Sequence, residues 1–189
     1  MNSILIITSD EKSVGLLGKL LSEEGCEVTD SAPDGEEGLK MLSERSYDLV
    51  IITAPVGGGS AVDTAVRIVQ STAAFVLLIV KNELEQETRE QVGRYGIVTL
   101  GKPLGKAMFY KTLHIMDALK NRISGIEREN EKLHKKIEDT RLINRAKGIL
   151  MEYLSMTEMQ AHKYLERQAM DLRVTKAEVA RRLLSTYES

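Results

Sequence analysis

At 189 residues the chain is longer than one common domain and short for three, so one domain of about 100 residues with an appendage is expected. The single cysteine, Cys26, excludes an internal disulfide; no apolar run approaches the roughly 20 residues of a membrane span, and Ile4 to Ile7 is too short for a signal peptide, so a cytoplasmic protein is expected. The net charge of −2 is uneven, with 9 Lys/Arg against 16 Asp/Glu in residues 1–105, 8 against 6 in 106–140 and 9 against 6 in 141–189, and a positive tail behind an acidic head points to a polyanionic partner or to an ordinary solvated surface.

In chain order, Ile4-Leu5-Ile6-Ile7, Leu49-Val50-Ile51-Ile52 and Phe75 to Val80 are short continuous apolar runs, the pattern of strands covered on both faces. Cys26 to Thr29 and Val98 to Leu100 are weaker candidates for the second and fifth strands. Helical spacing lies between them: Val14, Leu17, Leu20 and Leu21; then Gly38, Leu39 and Leu42; then Val62, Ala65 and Val69; then Val92 within 84–94. This alternation predicts an α/β fold with a doubly wound five-stranded parallel sheet, whose sites lie at the carboxyl ends of its strands. Gly57-Gly58-Gly59 belongs to no phosphate-binding glycine motif and reads as a flexible loop after the third strand.

From Met116 the apolar period becomes 3.5. Met116, Asn130, Ile123 and Ile137 take a positions, and Leu119, Ile126 and Leu133 take d positions, with only Asn130 and Thr140 polar in the seam. A coiled coil over 106–140 follows, and Asn130 at an a position fits a parallel pair, where it meets its symmetry mate and fixes register. Arg122 then faces Glu127 of the partner in a weak attractive pair. The competing reading is a single amphipathic helix folded back on its own sheet.

Thr157-Glu158-Met159-Gln160 and Thr175-Lys176-Ala177-Glu178 both match the capping box, so helices should begin near 158 and 176. Ile143, Ala146, Ile149, Leu150 and Leu154 form one face before them; Ala161, Leu165 and Ala169 form a second; Val179, Leu183 and Leu184 form a third. Three short helices can bury one small shared core.

The front half, from "ILIITSDEKSVGLL" through "DLVIITAP" to "GKPL", resembles the receiver domain of bacterial response regulators, a flavodoxin-like fold. In that family an acidic pair after the first strand holds magnesium, an aspartate ending the third strand accepts phosphate, a Thr/Ser ends the fourth strand, and a Lys-Pro follows the fifth. Here Thr8 and Ser9 stand at the acidic pair, Thr53 at the phosphoacceptor and Ile79 or Val80 at the Thr/Ser, while Lys102-Pro103 is retained. Magnesium is usually held through one or two carboxylates, which Thr8 and Ser9 do not supply, so the resemblance implies a pseudo-receiver that is not phosphorylated. Asp10 and Asp48 are the nearby acids that would rescue the site under a shifted register, and Lys102 has a plain alternative as a solvated lysine in a turn.

The tail resembles the ANTAR module, named for regulators that act as transcription antiterminators. The matching positions are Ile143, Ala146 to Met151, Thr157-Glu158, Ala161, Leu165, Ala169-Met170 and Val179-Ala180. A pseudo-receiver (1–105), a coiled-coil dimerisation helix (106–140) and an ANTAR module (141–189), in this order, resemble the amidase-operon regulator architecture. The resemblance implies a homodimer that binds paired hairpin loops in a leader RNA and prevents a terminator hairpin, without cofactor or catalysis.

Cations for such a surface are Arg145, Lys147, Arg173, Lys176, Arg181 and Arg182, with Tyr153 and Tyr164 as stacking faces. Lys147 matches the family motif, yet a lysine between small residues is often simply solvated. Arg181-Arg182 can cap the last helical turn, and both tyrosines fall near apolar faces where a core role competes. Two other classes remain: a dimeric DNA-binding regulator and a protein-binding signalling adaptor. With no phosphoacceptor, a sensor or sequestering protein, a small ligand or abundance is left as the control.

Overall fold

The computed structural model describes residues 3–187. The chain divides into two compact units, Met1–Asn121 and Arg122–Ser189.

In the first unit, strands β1 (Ile4–Ile7), β2 (Val28–Ala32), β3 (Leu49–Thr53), β4 (Phe75–Lys81) and β5 (Val98–Lys102) form one parallel sheet in the order β2-β1-β3-β4-β5. Successive side chains point to opposite faces, so each buried strand feeds two cores. On one face Leu5, Ile7, Val50, Ile52 and Leu78 pack with Ala65 and Ile68 of α3 (Ala61–Ser71). On the other, Ile4, Ile6, Ile51 and Leu77 meet Leu17 and Leu21 of α1 (Glu11–Glu23). Two further helices, α2 (Gly35–Glu44) and α4 (Asn82–Val92), complete the covering layers. A Cβ built on Gly38 of α2 would stand 2.4 Å from Ile7 Cδ1, so any larger residue here would make the buried Ile7 side chain shift or move α2 off the sheet.

The second strand lies later than its apolar signal. Cys26 to Thr29 was the expected segment, but pairing with β1 runs from Ile4↔Val28 to Ile7↔Ala32. The strand therefore includes Asp30 and Ser31, which its edge position tolerates. Asp30 accepts a hydrogen bond from the Tyr47 hydroxyl at 2.8 Å and an ion pair from Arg45 at 3.2 Å. The three glycines after β3 form an ordered turn rather than a featureless loop: Gly57 bridges to Asp34, Gly59 bridges to Val56, and Gly58 takes φ +78°.

A single helix, α5, runs from Lys106 to Leu154, continuous through the expected boundary at 140. Its start belongs to the first unit, where Phe109, Leu113 and Met116 are buried against the sheet. Met116 is 1% exposed, which corrects its assignment to the dimer seam: its side chain is spent on the sheet core. From Leu119 onward the same stripe emerges, with Leu119, Ile123, Ile126, Leu133 and Ile137 each between 45% and 57% exposed.

The second unit holds the rest of α5 with α6 (Glu158–Leu172) and α7 (Lys176–Tyr187). Both helix starts fall where the capping boxes placed them. Thr157 Oγ1 accepts from Gln160 N, and the Gln160 side chain accepts from Thr157 N at 2.8 Å. Thr175 and Glu178 exchange the equivalent pair of bonds, each 3.2 Å. Two of the donors left over at each helix start are thereby satisfied. The shared core consists of Ala146, Leu150, Ala161, Leu165, Ala169, Val179, Ala180 and Leu184, dominated by small residues that let the three helices approach closely.

Candidate functional site

Two places carry chemistry-bearing residues. The first is the carboxyl edge of the sheet. Pairing of Ile7 with Ile52, Thr53 with Ile79 and Lys81 with Lys102 brings the ends of β1, β3, β4 and β5 to one edge. Thr8 is buried and accepts from Asp10 N at 3.2 Å, and Ser9 Oγ donates to the Pro55 carbonyl at 3.1 Å. Asp10, the nearest carboxylate, caps α1: one oxygen accepts from Lys12 N at 3.1 Å and the other from Ser13 Oγ at 2.8 Å. The Ser13 hydroxyl, then the Lys12 amide, hold its carboxyl below the usual carboxylate range. Thr53 is 2% exposed and its hydroxyl finds no hydrogen-bond partner.

Lys102 donates from Nζ to the Ala54 carbonyl at 2.8 Å. Burial pushes its ammonium below the ordinary lysine value, with the Asp10 carboxylate opposing. This donor set does not fit the magnesium that receiver folds use. The ion needs carboxylate oxygens, and here the nearest ones are engaged in capping while the other three groups are hydroxyls. Among the described residues no group of three His, Cys, Asp or Glu is arranged to hold a metal.

The second place is the surface of the three-helix unit. Arg145, Arg173, Arg181 and Arg182 are exposed, Arg173 from the left-handed turn that ends α6. Lys147 behaves differently: its side chain is 15% exposed and pairs with Glu158 at 2.9 Å, tying α5 to the first turn of α6. The Lys147 ammonium holds the Glu158 carboxyl low. Lys176 lies 3.9 Å from Glu166.

The tyrosines are not core residues. Tyr153 is 61% exposed, and its ring lies 5.4 Å from that of Tyr187, itself 41% exposed. Tyr164, Arg182 and Tyr187 line one groove of about 260 Å³ between the three helices. Tyr187, and the pairing of Glu158 with Lys147, were missed by sequence reasoning. The position of Tyr187, four residues after Leu183 on the apolar side of α7, was the available signal for it; nothing in the sequence marks Glu158 as the partner of Lys147, eleven residues away.

No described helix is long and apolar enough to cross a membrane. The ANTAR domain family model matches residues 131–184. Transcriptional regulatory protein PdtaR of Mycobacterium tuberculosis is 28% identical, the match covering 96% of this chain and 89% of that protein. The fold of the first unit is shared with the response regulatory domain of mrkE from Klebsiella pneumoniae, at TM-score 0.57 and 16% identity over 64% of this chain and 98% of that one. It is shared too with the signal receiver domain of an HD domain-containing protein from Pseudomonas fluorescens Pf-5, at TM-score 0.59 and 21% identity over 66% and 92%. The chain thus carries an ANTAR match at residues 131–184 behind a unit with the fold of receiver domains, and it is similar along nearly its whole length to a transcriptional regulatory protein.

Proposed function

We propose that the chain is a dimeric RNA-binding transcription antiterminator that grips paired hairpin loops in leader transcripts, with a receiver unit that is not phosphorylated. The observation that carries the reading is the ANTAR match over 131–184, which falls on the compact three-helix unit with its exposed arginines. Loops expose unstacked bases, which proteins read by stacking and by base-edge hydrogen bonds, while Arg and Lys hold the phosphates.

Dimerisation is supported by the stripe from Leu119 to Ile137. Large aliphatic side chains about half exposed at 3.5-residue spacing are a seam awaiting a second helix. Pairing through it presents two RNA-binding units together, and the second loop then binds at the effective concentration set by the first. Holding two loops at once favours the hairpins over a competing terminator stem, which is how binding becomes antitermination. Unphosphorylated operation is supported by the hydroxyls at positions 8, 9 and 53 and by the engaged Asp10 carboxylate.

Selection of binders from a pool of random-loop RNA hairpins, single and tandem, tests this with the full chain. The expected result is enrichment of tandem hairpins with salt-sensitive affinity. Preference for duplex DNA over every hairpin, or no nucleic-acid affinity at low salt, overturns it.

A further inference from the structure

We propose that the groove between the end of α5, α6 and α7 receives one unstacked purine base of the bound RNA loop; this deepens the RNA-binding reading and rests on it. Leu150 and Val179, both buried, are its apolar base. Tyr164 and Gln168, one helical turn apart on α6, stand on one side, and Arg182 and Tyr187 of α7 on the other.

Size, charge and ring content select the occupant. A groove of about 260 Å³ is below the roughly 300–1,000 Å³ of pockets for drug-sized ligands, so it suits something as small as one base. Its lining contains no Asp or Glu. Arg182 has no carboxylate within ion-pair distance among the described residues, so its positive charge is left for an anionic ligand such as a nucleotide. An aliphatic side chain from a protein partner would use the leucines but leave the guanidinium and the Gln168 amide without partners, and unpaired polar groups in a closed interface are costly.

Two partly exposed tyrosines beside a buried apolar base are the composition of a stacking platform, since each ring offers a π-face to a base. The polar groups favour a purine, because Gln pairs with the N6 and N7 edge of adenine and Arg with the O6 and N7 edge of guanine. The neighbouring Tyr153 ring, 5.4 Å from Tyr187, extends the aromatic surface beyond the groove.

The test takes a hairpin recovered from the random-loop pool and replaces its loop nucleotides one at a time by abasic ones. Affinities are measured for the full chain and for Tyr164→Leu, Tyr187→Leu, Tyr164→Phe and Tyr187→Phe. Single base–aromatic stacks predict that one abasic position weakens binding by about ten- to hundredfold in the unmodified protein. At that position each leucine variant, which has already lost the stack, loses little more, while the phenylalanine variants keep the full response. Gln168→Ala relaxes base preference at the same nucleotide and nowhere else.

Leucine variants that lose affinity equally at all abasic positions, or that bind the intact hairpin as tightly as the unmodified protein, overturn the assignment while leaving RNA binding standing. Failure of the phenylalanine variants to bind as well as the unmodified protein also overturns it, since the ring is then not what matters. A pool that yields no hairpin overturns the RNA reading and this one with it.

Discussion

Lys102 Nζ donates to the Ala54 carbonyl at 2.8 Å, immediately after Thr53, whose own hydroxyl is buried without a partner. The lysine is thus tied to main chain beside a buried hydroxyl that has no partner of its own. The sheet still gathers its strand ends there, but the groups collected are hydroxyls, a capping carboxylate and a lysine already engaged.

Thr53→Val should therefore stabilise the protein. A buried hydroxyl with no hydrogen bond carries a desolvation cost of about 1–3 kcal/mol, and valine fills nearly the same shape without it. A gain of about 1 kcal/mol is expected in urea unfolding of the first unit's sheet, with an unchanged slope. A loss of 1 kcal/mol or more would mean that the hydroxyl is satisfied after all. Treatment with magnesium and a small phosphodonor should leave the intact mass of both proteins unchanged.

Lys102 should also leave a signature in the pH dependence of stability. Burial sets its folded value below the ordinary value near 10.5, so between those two values the unfolded chain binds more protons than the folded one. Stability attributable to this group then rises with pH through that interval and levels off above about 10.5, as linkage requires. Tyr47 and Tyr110, both raised, act in the opposite sense as pH climbs past 10. The comparison must accordingly be a difference: unmodified protein minus Lys102→Met, by urea midpoint from pH 8 to 11. A difference that is flat or falls with pH contradicts the partial burial of the ammonium.

The parts of the fold that sequence made legible are those where one local rule acts alone. Ile4 to Ile7 and Leu49 to Ile52 are apolar runs long enough to name buried strands, and Thr157 and Thr175 carry capping chemistry that places helix starts to the residue. Sequence was least informative where tertiary demand overrides the local signal. The second strand is chosen by pairing with β1 and so includes Asp30. Met116 keeps the heptad spacing yet faces the sheet, because the start of α5 is still packing the first unit. At the candidate interface, Lys147 read as a free cation until Glu158 was seen beside it, since a partner eleven residues away across a turn leaves no periodic trace.

The exposed seam gives a clean substitution. Ile126 and Leu133 are 57% and 52% exposed, so lysine at either place removes little burial from a single chain. In a two-helix seam the same change puts an ammonium between apolar knobs. Ile126→Lys with Leu133→Lys should shift sedimentation from dimer to monomer at micromolar concentration and leave sheet unfolding within about 0.5 kcal/mol of the unmodified protein, the usual range for surface changes. An unmodified protein that sediments as a monomer removes the seam.

Salt dependence should separate the cations that touch RNA from the one that holds the module together. A phosphate-contacting Arg or Lys releases counterions on binding, and its removal lowers the slope of log affinity against log salt by about one. Arg181 is exposed on α7, so Arg181→Ala is expected to reduce the slope in this way. Lys147 has its charge matched by Glu158 and its side chain largely covered, so Lys147→Met should leave the slope unchanged. Its effect should fall instead on the joint between α5 and α6. With the ammonium present the Glu158 carboxyl titrates below its ordinary value, so the pair's contribution is complete above that ordinary value and fades as pH drops through the lowered one. In Lys147→Met this acid-sensitive component disappears. A salt slope that falls by one in Lys147→Met, with the acid component intact, would make Lys147 an RNA contact and Glu158 a bystander.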